Sequence, residues 1–541
     1  MKILRKSALV FLFILVSSLS MNVVAQDDAA KEGGSIVVTF EDDVSTLDPA
    51  IGYDWQNWSM IKSLFEGLMY YKPGTVELAP NLAKSYEVSD DGKTYTFQLR
   101  SGVKFHNGRE VEAGDFKYSI NRVVDPATKS PGAGFFSNVV GYDAVRNGDA
   151  DELEGITTPD SKTVKIELQE PDATMLHVLA INFSYVVPKE AIDKYGGDFG
   201  KNPVGTGPFK MASWEYGREL VFKKNSDYWR EGVPHLDKVI FDLGNDPTVS
   251  VKRLEQGEVD ITGDGIPSAQ YLQVKNNPNM EDNLVEGDDM QTSYLTLNTT
   301  HEPLDNVDVR KAINLAVNKK RIIQIMNGRA VPAYEILPAT MPGYDVSEGE
   351  DVYDPDQAKE LLKEAGYDPD TTLELFVYNK DPHRRIAQSI QHDLAAIGMN
   401  VEIKAHSQAT VIGNAGSSKG VDMVWSGGMG WIADYPDPAN FYWPILGCDA
   451  TASGGWNWAK YCNEDIDQRA HKADAMADPS KQDERVELWG QIFADIMDDY
   501  PWVPVFHKKR ITLKSDRMAG DDKYYVGLIS LPADYAHIWV K

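Results

Sequence analysis

The stretch from Leu373 to Ala405 constrains the fold more than any other part of this 541-residue chain. Leu373 to Tyr378 reads as a strand. Asp381-Pro382 then opens a helix that turns Ile386, Ile390, Leu394 and Ile397 to one side, and Gly398 stops it before a second strand, Val401 to Ala405. Strand, helix and strand in this order imply parallel pairing through a right-handed crossover. Two helices precede the unit. Val309 to Met326 carries a stripe of Val309, Ile313, Ala316, Val317 and Ile323 and ends at Asn327-Gly328. The next has Asp354 as N-cap and Pro355 in its first position, buries Ala358, Leu361, Leu362 and Ala365, and ends at Gly366. A last helix, Asp483 to Met497, leads into the extended Tyr500 to Val505 with its two prolines.

The first half follows a different rhythm. Ser35 to Phe40 reads as a first strand, and Lys84 to Arg100 as a hairpin turning at Asp90-Asp91-Gly92, with Thr94 to Leu99 as its return strand. Asn107-Gly108 marks a second tight turn, and one helix is expected from Glu112 to Val123. About 500 mature residues exceed what one core usually serves. With no internal repeat and no long low-complexity linker, two α/β lobes that exchange chain segments are expected.

The N-terminus places Lys2, Arg5 and Lys6 before an apolar run, Ala8 to Val16, and ends in Val23-Val24-Ala25. This is the pattern of a secretory signal peptide cleaved after Ala25, with an apolar run too short to span a bilayer. No Cys lies near the cleavage site, so a lipid anchor has no acceptor, and a free periplasmic or secreted protein is expected. Removing three basic residues takes the formal charge from −28 to −31. Nucleic acid is therefore not an expected partner, because phosphate binding needs basic patches. The two cysteines, Cys448 and Cys462, are expected to form a disulfide in an exported chain.

The run Gly430-Trp431-Ile432-Ala433-Asp434-Tyr435-Pro436-Asp437-Pro438-Ala439-Asn440-Phe441 sets two carboxylates among aromatic rings in a segment too rich in proline to be helix. Flat apolar walls around a fixed charge suit a pocket for a small zwitterion or a sugar. Other candidate chemistry is weaker. Gly416-Ser417-Ser418-Lys419-Gly420 has the spacing of a nucleophile elbow, but a strand-like run, Val421 to Trp425, follows it where a helix is required. His106 beside Asn107-Gly108 reads as a structural hydrogen bonder, and Asp149 to Gly155 as a solvated acidic loop without the spacing of a calcium site. No metal site, cofactor site or phosphate-cradling loop is expected.

Several segments, taken in order, resemble the bacterial extracellular solute-binding proteins of family 5, the dipeptide- and oligopeptide-binding proteins of ABC transporters. They are Thr46-Leu47-Asp48-Pro49, Phe65-Glu66-Gly67-Leu68, Pro80-Asn81-Leu82-Ala83 and Gly102-Val103-Lys104-Phe105-His106-Asn107-Gly108. Asn202 to Phe209, Tyr228-Trp229, Gly257-Glu258-Val259-Asp260, Val309 to Ile313, Ala358 to Tyr367 and the Gly430 run follow. The resemblance implies a two-lobed α/β fold of the periplasmic-binding-protein type, with an extra subdomain in the first lobe and two crossing strands between lobes. The expected boundaries are 1–25 signal peptide, 26–34 flexible leader, 35–292 with 507–541 first lobe, 293–506 second lobe, and about 50–182 the subdomain. The crossings should fall near Gln291 to Asn298 and Val503 to His507.

It further implies a non-enzymatic protein that captures a small peptide between its lobes and presents it to membrane permease subunits; a monomer is the default expectation. By position in the motif, Asp434 pairs with the ligand α-ammonium. Gly430 and Ile432, and Asp43, Val44 and Ser45 opposite, supply main-chain groups. Trp431, Tyr435, Tyr53, Trp55 and Tyr294 form walls, while Asp48 is a turn residue and Asp437 the turn that presents Asp434. Dipeptide binders of the family grip the ligand carboxylate with an arginine from the strand before Tyr378-Asn379. Leu373 to Tyr378 holds no basic residue, and Arg384 and Arg385 lie on the next helix. Longer peptides therefore suit the chain better than strict dipeptides. The alternatives are an oligosaccharide binder of the same family, a sensor or chaperone using the same cleft, and a secreted hydrolase using Ser418.

Overall fold

The computed structural model describes residues 30–344, 353–526 and 530–541. The signal peptide, its cleavage site and residues 26–29 lie outside the described residues, as does the side chain of Trp55. The leader is docked at its end: Glu32 pairs with Lys224 at 2.7 Å, and Gly33 N donates to His235 O at 2.8 Å.

The protein is a two-lobed α/β structure. A five-stranded sheet is ordered Ile261–Thr262, Ser35–Thr39, Lys238–Asp242, Glu219–Lys224 and Phe209–Glu215. A four-stranded antiparallel sheet holds Ala83–Val88, Thr94–Leu99, Thr163–Glu167 and Ile156–Asp160. The hairpin read from the sequence forms its first two strands. A six-stranded sheet runs Ala330–Pro332, Trp502–Leu513, Leu284–Leu297, Met423–Trp425, Thr372–Tyr378 and Asn400–His406. Within it, Thr372–Tyr378 and Asn400–His406 pair in parallel, joined by the helix His383–Ala396, and Gly398 ends that helix at φ +90°. Each sheet has its own apolar core.

Two long strands, Leu284–Leu297 and Trp502–Leu513, run antiparallel and link the lobes. Their register breaks between Asp288 and Thr292, so the ladder bends there. At one end Thr512 meets Thr262 next to the five-stranded sheet, their hydroxyls 3.0 Å apart. At the other, Leu295 to Leu297 pair with Met423–Trp425 of the six-stranded sheet.

The structure departs from the sequence reading in three places. The helix expected over Val309 to Met326 is two, Val307–Ala316 and Lys319–Ile325. Asn318 breaks it, because its side chain caps the second helix by accepting from Arg321 N at 2.9 Å. The first half holds more helix than the single one expected. Trp55–Leu64 is capped by Asp54, which accepts from Asn57 N at 2.8 Å, and Pro247–Glu255 and Ser268–Lys275 follow. Finally, Pro438 does not keep its whole segment irregular. Ala439–Ile445 is helical, since proline is well placed just before a helix begins.

The motif Gly205-Thr206-Gly207-Pro208 gains a steric reason. A Cβ on Gly205 would sit 2.0 Å from Leu64 O, so only glycine lets this loop, just before the strand Phe209–Glu215, approach the end of the helix Trp55–Leu64. His106 locks the same corner: Gly205 N donates to its Nδ1 at 3.2 Å, which leaves Nε2–H to donate to Gly207 O at 3.1 Å. Cys448 and Cys462 form a disulfide across 14 residues, worth about 3 kcal/mol for a loop of that size.

Candidate functional site

Gly430 to Pro438 leaves the six-stranded sheet as irregular chain and is pinned to a linking strand. Gln291 Nε2 donates to Gly430 O at 2.9 Å, and Ala433 N to Met290 O at 3.1 Å. Asn440, one residue into the following helix, reaches back over the loop. Its Oδ1 accepts from Asp434 N at 2.8 Å and from Trp431 Nε1 at 3.3 Å. The loop therefore holds Asp434 from both ends.

Asp434 is half-buried, and its Oδ1 accepts from the hydroxyl of Tyr53 at 2.9 Å, 381 residues earlier in the chain. Burial pushes its carboxyl up to about 6, against the pull of the Tyr53 and Asn440 hydrogen bonds. Tyr53, 44% exposed, rests on Phe183 and Trp58 at centroid distances of 5.3 and 5.9 Å. Burial and the Asp434 charge hold its phenol above the usual range, so it stays a donor. A carboxylate whose side-chain donors, Tyr53 and Asn440, are both neutral suits a cation carried on a ligand.

Asp437 does more than shape the turn. Its carboxylate forms a two-pronged pair with Arg485 at 2.6 and 2.8 Å, and both side chains are about fully buried. Its Oδ1 also accepts from Ala439 N at 3.0 Å. Burial works against the charge, but the Arg485 guanidinium outweighs it and holds Asp437 below the usual carboxylate range. Asp474 Oδ1 lies 3.3 Å from the same guanidinium, and burial pushes that carboxyl up to about 7. His177 Nε2 approaches Asp437 at 3.7 Å, and its ring stacks on Tyr435 at 5.5 Å. No sequence signal marks Arg485, which meets Asp437 across 48 residues.

The other candidates separate. Trp431 is half-buried and crosses Trp456 at 6.0 Å, and Ile432 is exposed. The Tyr435 ring is buried between His177 and Phe135. Tyr294 lies in the core, stacked on Trp502 at 3.5 Å. The Asp43 carboxylate is engaged by Gly217 N at 2.6 Å and Trp214 Nε1 at 3.2 Å. The Val44 side chain is buried, and Ser45 Oγ accepts from Asn57 Nδ2 at 3.0 Å. Asp48 turns the chain by accepting from Ala50 N at 3.0 Å and also grips Arg122 at 2.9 Å. Around Ser418, the helix Gln408–Ala415 precedes and the strand Met423–Trp425 follows, the reverse of a nucleophile elbow. Arg384 and Arg385 are exposed.

Two lobes linked by paired strands, with the Asp434 loop meeting Tyr53 from far along the chain, are the frame of a solute-binding protein. Residues 77–453 match the bacterial extracellular solute-binding proteins, family 5, and the chain belongs to that family. It is 33% identical over 474 residues to di/tripeptide-binding protein 2 of Pseudomonas aeruginosa, covering 84% of this chain and 86% of the relative. The dipeptide-binding protein of Escherichia coli is 32% identical over 471 residues, covering 82% and 83%. Among solved structures, the ABC transporter-associated periplasmic binding protein DppA from Helicobacter pylori, in complex with peptide STSA, superposes with a TM-score of 0.73. Its identity is 27%, covering 94% of this chain and 99% of that one.

Proposed function

We propose that this protein captures short peptides between its lobes, without chemical turnover, and delivers them to the membrane permease of an ABC importer. The Asp434 carboxylate, shared with Tyr53 across the cleft, carries this reading. It receives the peptide α-ammonium, and the ligand adds contacts from both lobes that favour the closed state. Residues 35–292 with 507–541 form one lobe, 293–506 the other, and about 50–182 the added subdomain; the separate sheets and cores support that division. Gly430, Ile432 and the Asp43 to Ser45 segment offer main-chain groups, and Trp431 a wall. The mature protein begins after Ala25, is exported to the periplasm and works as a monomer.

The crossed Trp431 and Trp456 rings favour one competing reading, an oligosaccharide stacked on tryptophan faces. Thermal unfolding with a tripeptide library and a set of β-linked oligosaccharides separates the two. A ligand at 100 times its Kd stabilises the folded state by about 2.7 kcal/mol. Peptides are expected to raise the melting temperature; stabilisation by sugars alone would sink the peptide reading.

Acid should weaken peptide binding early. The Asp434 carboxyl sits at about 6, above its ordinary value, so the folded protein takes up this proton before the unfolded chain does. An ammonium ligand needs the charged form. Between pH 7 and pH 5 the affinity of free-amine peptides should fall about tenfold, since each unit below the pKa costs about a factor of ten in carboxylate. Titration calorimetry at both pH values checks this, with N-acetyl peptides as the control for other titrating groups. Equal slopes for both ligand sets would contradict it.

A further inference from the structure

Segments around Lys84, Arg100 and Trp229 meet at an open groove of about 390 Å³. Its lining is Lys84, Arg100, Ser101, Gly102 and Trp229, which puts two cations and no carboxylate on this wall of a chain whose formal charge is −28. The sign is reversed locally.

The backbone aims both cations at one face. Ala83 pairs with Leu99 and both side chains are buried, so the next residue along each segment, Lys84 and Arg100, turns to the opposite side. The register shifts between Ala83 and Ser85, which makes Lys84 the bulged residue, a position that re-aims a side chain. Arg100 is held in place. Its Nε donates to Asn81 O at 2.6 Å, and its guanidinium lies 5.0 Å from the centre of the Trp229 ring. Asn81 Oδ1 accepts from Arg230 at 2.9 Å, and that guanidinium lies 4.8 Å from the same ring.

Counter-charge reaches only one side of this cluster. Glu66 attracts Arg230 and accepts from Trp229 Nε1 at 3.0 Å. Among the described residues neither Lys84 nor Arg100 is in an ion pair, and the Glu110 carboxylate beside Gly102 already accepts from Gly102 N at 2.9 Å and pairs with Lys162 at 2.7 Å.

We propose that the groove is a second binding site, distinct from the Asp434 loop, for the oxyanion of a small ligand, a phosphate or carboxylate group held between the Lys84 ammonium and the terminal nitrogens of Arg100. A guanidinium fixed through its Nε leaves two amino groups to face an oxyanion, and the ammonium adds a point charge. Holding Arg100 beforehand lowers the ordering cost of binding. The site does not depend on the peptide reading.

Titration calorimetry of the mature protein with inorganic phosphate and, separately, with succinate tests the site, at an ionic strength held constant with sodium chloride because exposed charges are screened by salt. At least one of the two anions should bind. Lys84→Ala and, separately, Arg100→Gln should weaken it about tenfold or more, the range for a contact to a charged group. Lys84→Glu should abolish it. Lys84 is exposed, so its variants should melt with the wild-type protein in chloride and keep the test decisive if Arg100→Gln fails to fold. Binding of phosphate alone or of succinate alone supports the site and names its oxyanion. Binding of neither would overturn it, and so would binding that Lys84→Glu leaves unchanged, which marks an adventitious ion only.

Discussion

Replacing Asp434 with alanine should weaken peptides with a free α-ammonium about 10- to 100-fold, the range for hydrogen bonds to a charged partner. N-acetylated forms of the same peptides should lose far less. The reasoning starts from the loop, where Asn440 holds the Asp434 backbone at 2.8 Å and Tyr53 donates to one carboxylate oxygen at 2.9 Å. A neutral phenol cannot balance the charge, and burial has already raised the carboxyl to about 6. The ligand ammonium therefore supplies what the fold withholds. The same logic separates binding from stability. A carboxyl raised in the folded state costs stability as pH climbs from its ordinary value through about 6, so Asp434→Asn should melt no lower than wild type at pH 7. Calorimetry with paired free and acetylated peptides, alongside a melting curve of each variant, reads both effects. Equal loss for both peptide forms would remove the ammonium role.

Arg485→Met should be the most damaging single substitution to stability, at about 3–5 kcal/mol, the cost of stranding a buried charge. Asp437 and Arg485 are each at most 2% exposed, so burial shields the guanidinium's two contacts at 2.6 and 2.8 Å from bulk solvent. Asp474 would lose its contact as well. The pH dependence has a defined sign. In wild type, Arg485 holds Asp437 below the usual carboxylate range, so its contribution is present above that range and is lost as acid protonates it. In the variant the unpaired Asp437 carboxyl moves up, and the penalty is full at neutral pH and lifts as pH falls. Urea unfolding of both proteins at pH 7 and pH 5 measures this. The double variant Asp437→Asn/Arg485→Met should recover part of the loss, whereas a variant that unfolds at the wild-type midpoint would show that the pair holds nothing.

Local signals in the chain are reliable where they concern neighbours. Asp354-Pro355 begins a helix because an Asx cap and a proline at the first position need only the next three residues. The hairpin at Asp90-Asp91-Gly92 and the unit from Leu373 to Ala405 are legible for the same reason. Val309 to Met326 misleads because an apolar stripe continues through Asn318, and the stripe hides the stronger local preference of an asparagine for a cap. The helix Trp55–Leu64 had its own signal, Asp54 ahead of an apolar run.

For this protein the sequence by itself determined the α/β class, the family and the loop that carries Asp434, since motif order, helix caps and strand periodicity are properties of adjacent residues. Tertiary structure alone decided what each side chain meets. It set Tyr53 on Asp434 across 381 residues, paired Asp437 with Arg485, sent the Tyr294 ring into the core against Trp502, and brought Lys84, Arg100 and Trp229 to one groove. The physical reason is range: a charge or a ring is stabilised by whatever lies within a few ångströms, and in a chain that crosses between lobes and returns those partners lie far away in sequence.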